Sequence, residues 1–134
     1  MPSPDLCSDA EITHFVHSFY AKVRSDGQLG PIFEQHIDDW DAHLLKLVDF
    51  WSSVLRGSGR FSGAPMPKHA ALPGLSSALF QHWLALFEAV MNAQPNQAMA
   101  KQAMVAARRI ANSLWMGYQM SQHPDKLPRD LGHV

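Results

Sequence analysis

A chain of 134 residues has the size of one domain and can bury a core without disulfide or metal staples. With 46% hydrophobic and 17% charged residues it reads as a soluble globular protein, and no apolar run reaches membrane-spanning length. The formal net charge of −1 and the scatter of the 11 basic residues argue against nucleic acid as a partner, and the lone Cys7 excludes an internal disulfide or a cysteine-rich metal site.

The first predicted helix opens at Ser8-Asp-Ala-Glu11, a capping box in which hydroxyl and carboxylate each satisfy a free backbone N–H. Ile12, Phe15, Val16, Phe19, Tyr20 and Val23 follow at helical spacing, and Asp26-Gly27 ends the stripe. Leu29 to Phe33, with Gly30-Pro31 inside it, reads as a tight corner or a short helical turn. The second long helix is expected from Asp38 or Asp39 to about Leu55. Its broad buried face carries Trp40, His43, Leu44, Leu47, Val48, Phe50, Trp51, Val54 and Leu55. From Arg56 to about Ser76, seven glycines and prolines between Gly57 and Gly74 break the pattern. Phe61, Met66, His69, Leu72 and Leu75 make this stretch too apolar for a free linker, so something is expected to pack against it. A third helix, capped by Ser76 or Ser77, carries Leu79, Phe80, Trp83, Leu84, Phe87, Val90 and Met91, with Pro95 past its end. The last runs from about Asn96 to Ser121, and the tail beyond Pro124 reads as frayed. No window alternates with period two and no repeat is present, so the expected fold is all-α. It forms one domain over residues 1–134, with an ordered core over about residues 8–121.

Several side chains stand out against this background. His43 lies on an apolar helical face, where a histidine is either a core residue satisfied by one hydrogen bond or a ligand. His69, in a Pro- and Gly-rich loop, is either an exposed or turn-capping residue or a ligand. Tyr20 and Trp83 bring polar tips into apolar stripes, for a local partner or for a pocket. His14 and His17 are three apart but off the apolar stripe and without a completing carboxylate, so they read as a solvated face. His36 and His82 have no partner evident from the sequence, and His123 and His133 lie in the tail. There is no phosphate-binding glycine loop, no His-Glu-x-x-His pair and no strand-borne nucleophile. The aromatics interleave with apolar rather than basic residues, which removes a base-stacking platform. What is left is an apolar helical pocket with histidine, tyrosine and tryptophan directed inward, the kind of lining that a haem requires.

Motifs in order along nearly the whole chain carry a family resemblance. They are Phe19-Tyr20, Leu29-Gly-Pro-Ile-Phe33, Trp40-Asp-Ala-His43, Asp49-Phe-Trp51, Gly63-Ala-Pro-Met-Pro-Lys-His69 and Phe80-Gln-His-Trp83-Leu-Ala-Leu-Phe87. Together they resemble the truncated haemoglobins, specifically the third group. The resemblance implies a two-over-two helical sandwich around a haem, with the helix that normally bears the proximal ligand reduced to a loop. It implies His69 as the iron ligand and Tyr20, His43 and Trp83 as the distal polar set. It further implies Phe33 packed on the haem face, Leu47 lining the distal pocket, and Phe19, Phe50, Phe61, Leu72 and Ile110 completing the apolar lining. Lys46 and Lys68 occupy positions from which propionates are reached. The chain lacks a glycine pair just after Phe33, as the third group does.

The expected cofactor is haem b, and the expected ligands are diatomic gases: O2, NO and CO. Donors on bound O2 slow its release, which favours nitric oxide dioxygenation or peroxidase-like chemistry, with an unidentified electron donor, over simple carriage or sensing of O2. The alternative from another class is a cofactor-free helical interaction module. A monomer in the cytoplasm is expected, without membrane or nucleic-acid partners; the lone cysteine and the absence of a basic-then-apolar leader point to that compartment.

Overall fold

In the computed structural model, residues 3–60, 75–122, 124, 125 and 127 are described. Among these residues there are five helices and no strand: α1 (Asp9–Ser25), α2 (Leu29–His36), α3 (Trp40–Arg56), α4 (Ser77–Asn92) and α5 (Gln97–Gln122). None of them is long and apolar enough to cross a membrane.

Local chemistry sets the boundaries. The capping box at the head of α1 is complete: Glu11 N–H donates to Ser8 Oγ at 3.1 Å, and Ser8 N–H donates to Glu11 Oε1 at 2.9 Å. Asp39 caps α3 through Ala42 N–H, Ser76 caps α4 through Leu79 N–H, and Asn96 Oδ1 accepts from Met99 N–H at the start of α5. Gly57, at φ +68°, ends α3 in the left-handed conformation that a side chain would resist. The expected corner after Asp26 is a full helix, α2, three residues longer than the segment read from sequence. Asp26 Oδ2 accepts from Gln28 and Leu29 N–H and so starts it, while Pro31 sits in the first turn, where its missing N–H costs nothing.

The helices form two layered pairs. α1 lies on α3, α4 lies along α5, and α1 also packs on α4, joining the layers, while α2 rests on α1. This is the two-over-two helical fold. At its centre, Phe15 meets Trp51 edge-on at 5.6 Å, Phe19 meets Phe87 at 5.0 Å, and Phe87 stacks on both Trp51 (5.3 Å) and Trp83 (5.6 Å). Such aromatic pairs add about 0.5–1.5 kcal/mol each beyond the area they bury. Phe15, Phe19 and Phe87 are wholly enclosed. Gly30 lets α2 start against the end of α1, since a Cβ there would lie 2.5 Å from the Arg24 carbonyl oxygen.

One expectation about α3 is corrected. Of its predicted buried face only Trp51 and Leu55 are fully buried. Trp40, His43, Leu44, Leu47, Val48, Phe50 and Val54 remain partly exposed. Trp51 is enclosed because Phe15 and Phe87 close on it, whereas among the described residues the N-terminal half of the helix has no such cover.

Candidate functional site

Tyr20 carries its hydroxyl into the core, at 6% exposure. The α1 stripe points it inward, and its ring is surrounded by Phe19 (4.8 Å), Phe33 (6.0 Å), Trp40 (6.1 Å) and His43 (6.1 Å). Burial pushes the phenol far above its ordinary range, and a hydrogen bond with Trp83 opposes that shift in part. An indole N–H can only donate, so the Tyr20 oxygen accepts from Trp83 and keeps its own proton for another acceptor. The phenol is therefore a neutral donor at any physiological pH.

His43 reaches the same cluster from α3, one turn beyond Trp40, with the two rings edge-on at 5.7 Å. Trp83 arrives from α4, packed on Phe19 at 5.2 Å. Three helices thus bring Tyr20, His43 and Trp83 to one place, a convergence that no single segment of sequence displays. Phe19 is buried, and Phe33, Leu47, Phe50 and Ile110 are partly buried around the same core, while Lys46 is exposed on α3. Phe61, Lys68, His69 and Leu72 lie outside the described residues.

Other side chains at the site were not singled out from sequence. Arg24 stands over the Trp40 ring at 4.5 Å and donates through Nε to Glu34 at 2.9 Å. The i, i+4 spacing of Tyr20 and Arg24 on α1 is the signal that could have pointed to it. His82 does have a partner, which the sequence did not reveal: its Nε2 lies 2.7 Å from Asp26 Oδ1, linking α4 to the α1–α2 corner across 56 residues of chain. The Leu29 N–H first, then His82 and the Gln28 N–H, hold the Asp26 carboxyl below the usual carboxylate range. His14 and His17 are exposed, in line with a solvated face. Cys7 is buried, and that burial raises its thiol, so it is no reactive nucleophile.

A flat apolar group with one ligand-binding position fits this arrangement. The partly exposed face of α3 between His43 and Phe50 supplies apolar surface that the described helices leave uncovered, and Tyr20 supplies a desolvated proton donor beside it. Similarity to known proteins agrees. Residues 5–114 match the model of the bacterial-like globin family. The chain is 37% identical over 112 residues to the group 3 truncated hemoglobin ctb of Campylobacter jejuni subsp. jejuni serotype O:2, covering 81% of this chain and 88% of that protein. The crystal structure of group III truncated hemoglobin from Campylobacter jejuni superposes with a TM-score of 0.75 at 34% identity, over 84% of this chain and 91% of that one. The chain therefore belongs to the bacterial-like globin family as a truncated haemoglobin of the third group, a haem-binding fold that takes diatomic gases.

Proposed function

We propose that the chain holds haem b with His69 as the iron ligand and Tyr20, His43 and Trp83 as the polar set around the gas, and that it performs O2/NO or peroxide chemistry rather than simple O2 transport. The observation that carries this reading is the buried Tyr20 hydroxyl, which accepts from Trp83 and so has its own proton to give.

When bound, haem supplies the gas-binding iron and the single electron by which O2 and NO combine to nitrate, an electron that a separate donor must return. The side chains do the rest. Tyr20 O–H would donate to the gas held beside it, and Trp83 N–H, donating to the same phenol oxygen, would strengthen that donation. A charge-assisted hydrogen bond in a dry pocket contributes about 1.5–3 kcal/mol, and 1.4 kcal/mol is tenfold in an equilibrium constant. Slow release follows, and slow release suits a protein that reacts with its gas more than one that delivers it. His43, with its ring 6.1 Å from that of Tyr20, has an imidazole nitrogen that can carry a proton to or from a peroxide. Phe19, Phe33, Leu47, Phe50, Phe61, Leu72 and Ile110 would exclude water from the group, and Lys46 and Lys68 would hold its propionates. The reading includes a single-domain monomer in the cytoplasm, served by a still unidentified electron donor.

The test is stopped-flow mixing of the oxygenated protein with NO. Stoichiometric nitrate, alongside slow O2 release, is expected. Fast O2 release without nitrate would leave carriage or sensing as the function.

A further inference from the structure

Trp40 is the first residue of α3, and its ring lies among rings from α1, α2 and α3 beside the polar cluster. Its ring centroid is 6.1 Å from that of Tyr20 on α1, 6.5 Å from that of Phe33 on α2 and 5.7 Å from that of His43 on α3. The His43 ring meets it edge-on at 87°, so a swing of His43 toward α2 runs into the Trp40 indole. The Arg24 guanidinium sits 4.5 Å over the same indole. Arg24 in turn donates to Glu34 Oε1 at 2.9 Å, with the two side chains about half exposed at 45% and 47%. The indole N–H is buried and, among the described residues, has no partner at hydrogen-bonding geometry. It faces the Glu34 carboxylate without reaching bonding geometry; Arg24 first, and Trp40 after it, hold that carboxyl below its ordinary range. A buried donor without a partner is costly, and here it sits beside a surface ion pair whose acceptor could satisfy it after a small movement. The arrangement joins two ligand-facing rings to a charge pair that solvent can reach.

We infer that Trp40 is a positioning residue for His43 and Tyr20, and that the Arg24–Glu34 ion pair is the latch holding it in place, so that surface charge and salt set how readily a diatomic gas enters the pocket. This rests on the proposed placement of the gas beside Tyr20. The latch acts through sterics. With Arg24 seated, the indole is pinned and the His43 ring has one packing position. With Arg24 released, the indole N–H closes onto the Glu34 carboxylate it already faces, and His43 gains room. Because the pair is half exposed, salt weakens it.

The test is CO association after flash photolysis of the haem-loaded protein, with the C–O stretching frequency as the report on the pocket's polar groups and indole N–H exchange as the report on Trp40. A cation over an exposed ring has a stabilisation equivalent to roughly two- to fivefold in an equilibrium, and changes of that size are expected. Arg24→Gln and Glu34→Gln should each speed association by that factor, accelerate exchange of the Trp40 indole proton, and abolish a rise in association rate with salt that the parent shows. Trp40→Leu should speed association further and shift the C–O stretch, whereas Trp40→Phe, which keeps a ring beneath Arg24, should restore both. The latch is overturned if Trp40→Leu leaves rate and stretch at parental values, or if the Arg24 and Glu34 variants leave the indole exchange unchanged. Tyr20→Phe in the same series separates the two ideas. If it shifts the C–O stretch and the Trp40 variants do not, the latch falls and the pocket reading stands; if Tyr20→Phe is silent, the pocket reading itself falls.

Discussion

Replacing Tyr20 by Phe removes one oxygen atom and isolates the donor on which the proposed chemistry depends. The ring stays where it is, because its contacts with Phe19, Phe33, Trp40 and His43 are contacts of the ring rather than the hydroxyl. What is lost is a donor that water cannot replace, at a position only 6% exposed. A hydrogen bond to a charged acceptor is worth about 1.5–3 kcal/mol net, which is roughly 10- to 150-fold in O2 dissociation rate. The Trp83 N–H, by polarising the phenol, places the expected effect in the upper half of that interval. The assay is O2 release followed by CO replacement in a stopped-flow instrument, comparing the parent, Tyr20→Phe, Trp83→Phe and the double variant. If Trp83 acts through Tyr20, the double variant releases O2 less than additively faster than the two single variants together, by about 0.5 kcal/mol or more. Parental release from Tyr20→Phe would refute the argument, as would full additivity for its cooperative part.

Two further perturbations test the frame that holds the site. Gly30→Ala forces a Cβ to within 2.5 Å of the Arg24 carbonyl, a backbone atom that cannot turn aside, so α2 must shift; chemical denaturation should show a loss of about 1–3 kcal/mol. The Asp26 carboxyl is held below its unfolded value by Leu29 N–H, His82 and Gln28 N–H. Its contribution to stability is therefore complete above the unfolded carboxylate pKa of about 3.9, and is lost as pH falls through the lower folded value. Unfolding midpoints measured from neutral pH downward should accordingly fall less in Asp26→Ala than in the parent below about pH 4; parallel curves would contradict the assignment.

Much of the frame was legible because its signals are local. The Ser8–Glu11 capping box, the Ser76 cap and the apolar stripes of α1 and α4 stand where sequence placed them, and α3 starts beside Asp39 as expected. Such features are decided within a few residues of chain. The corner at Leu29 was read too short, because Gly30 and Pro31 look like breakers until the Asp26 carboxylate is seen accepting the Gln28 and Leu29 N–H groups at the start of a helix. The face of α3 was read as buried throughout because periodicity shows which side is apolar and not what covers it. The long-range pairs were invisible for a different reason: His82 with Asp26 and Arg24 with Trp40 are created by helix packing, and no spacing rule connects residues that far apart. The meeting of Tyr20, His43 and Trp83 came from the motif resemblance, and the ring contacts supply its geometry.

The central claim, haem held through His69, has a direct measurement. The electronic spectrum of purified His69→Gly protein, produced with ample haem, should lack the Soret band that the parent displays, and added imidazole should restore it by occupying the vacated ligand position. A parental spectrum in His69→Gly without imidazole would contradict the account.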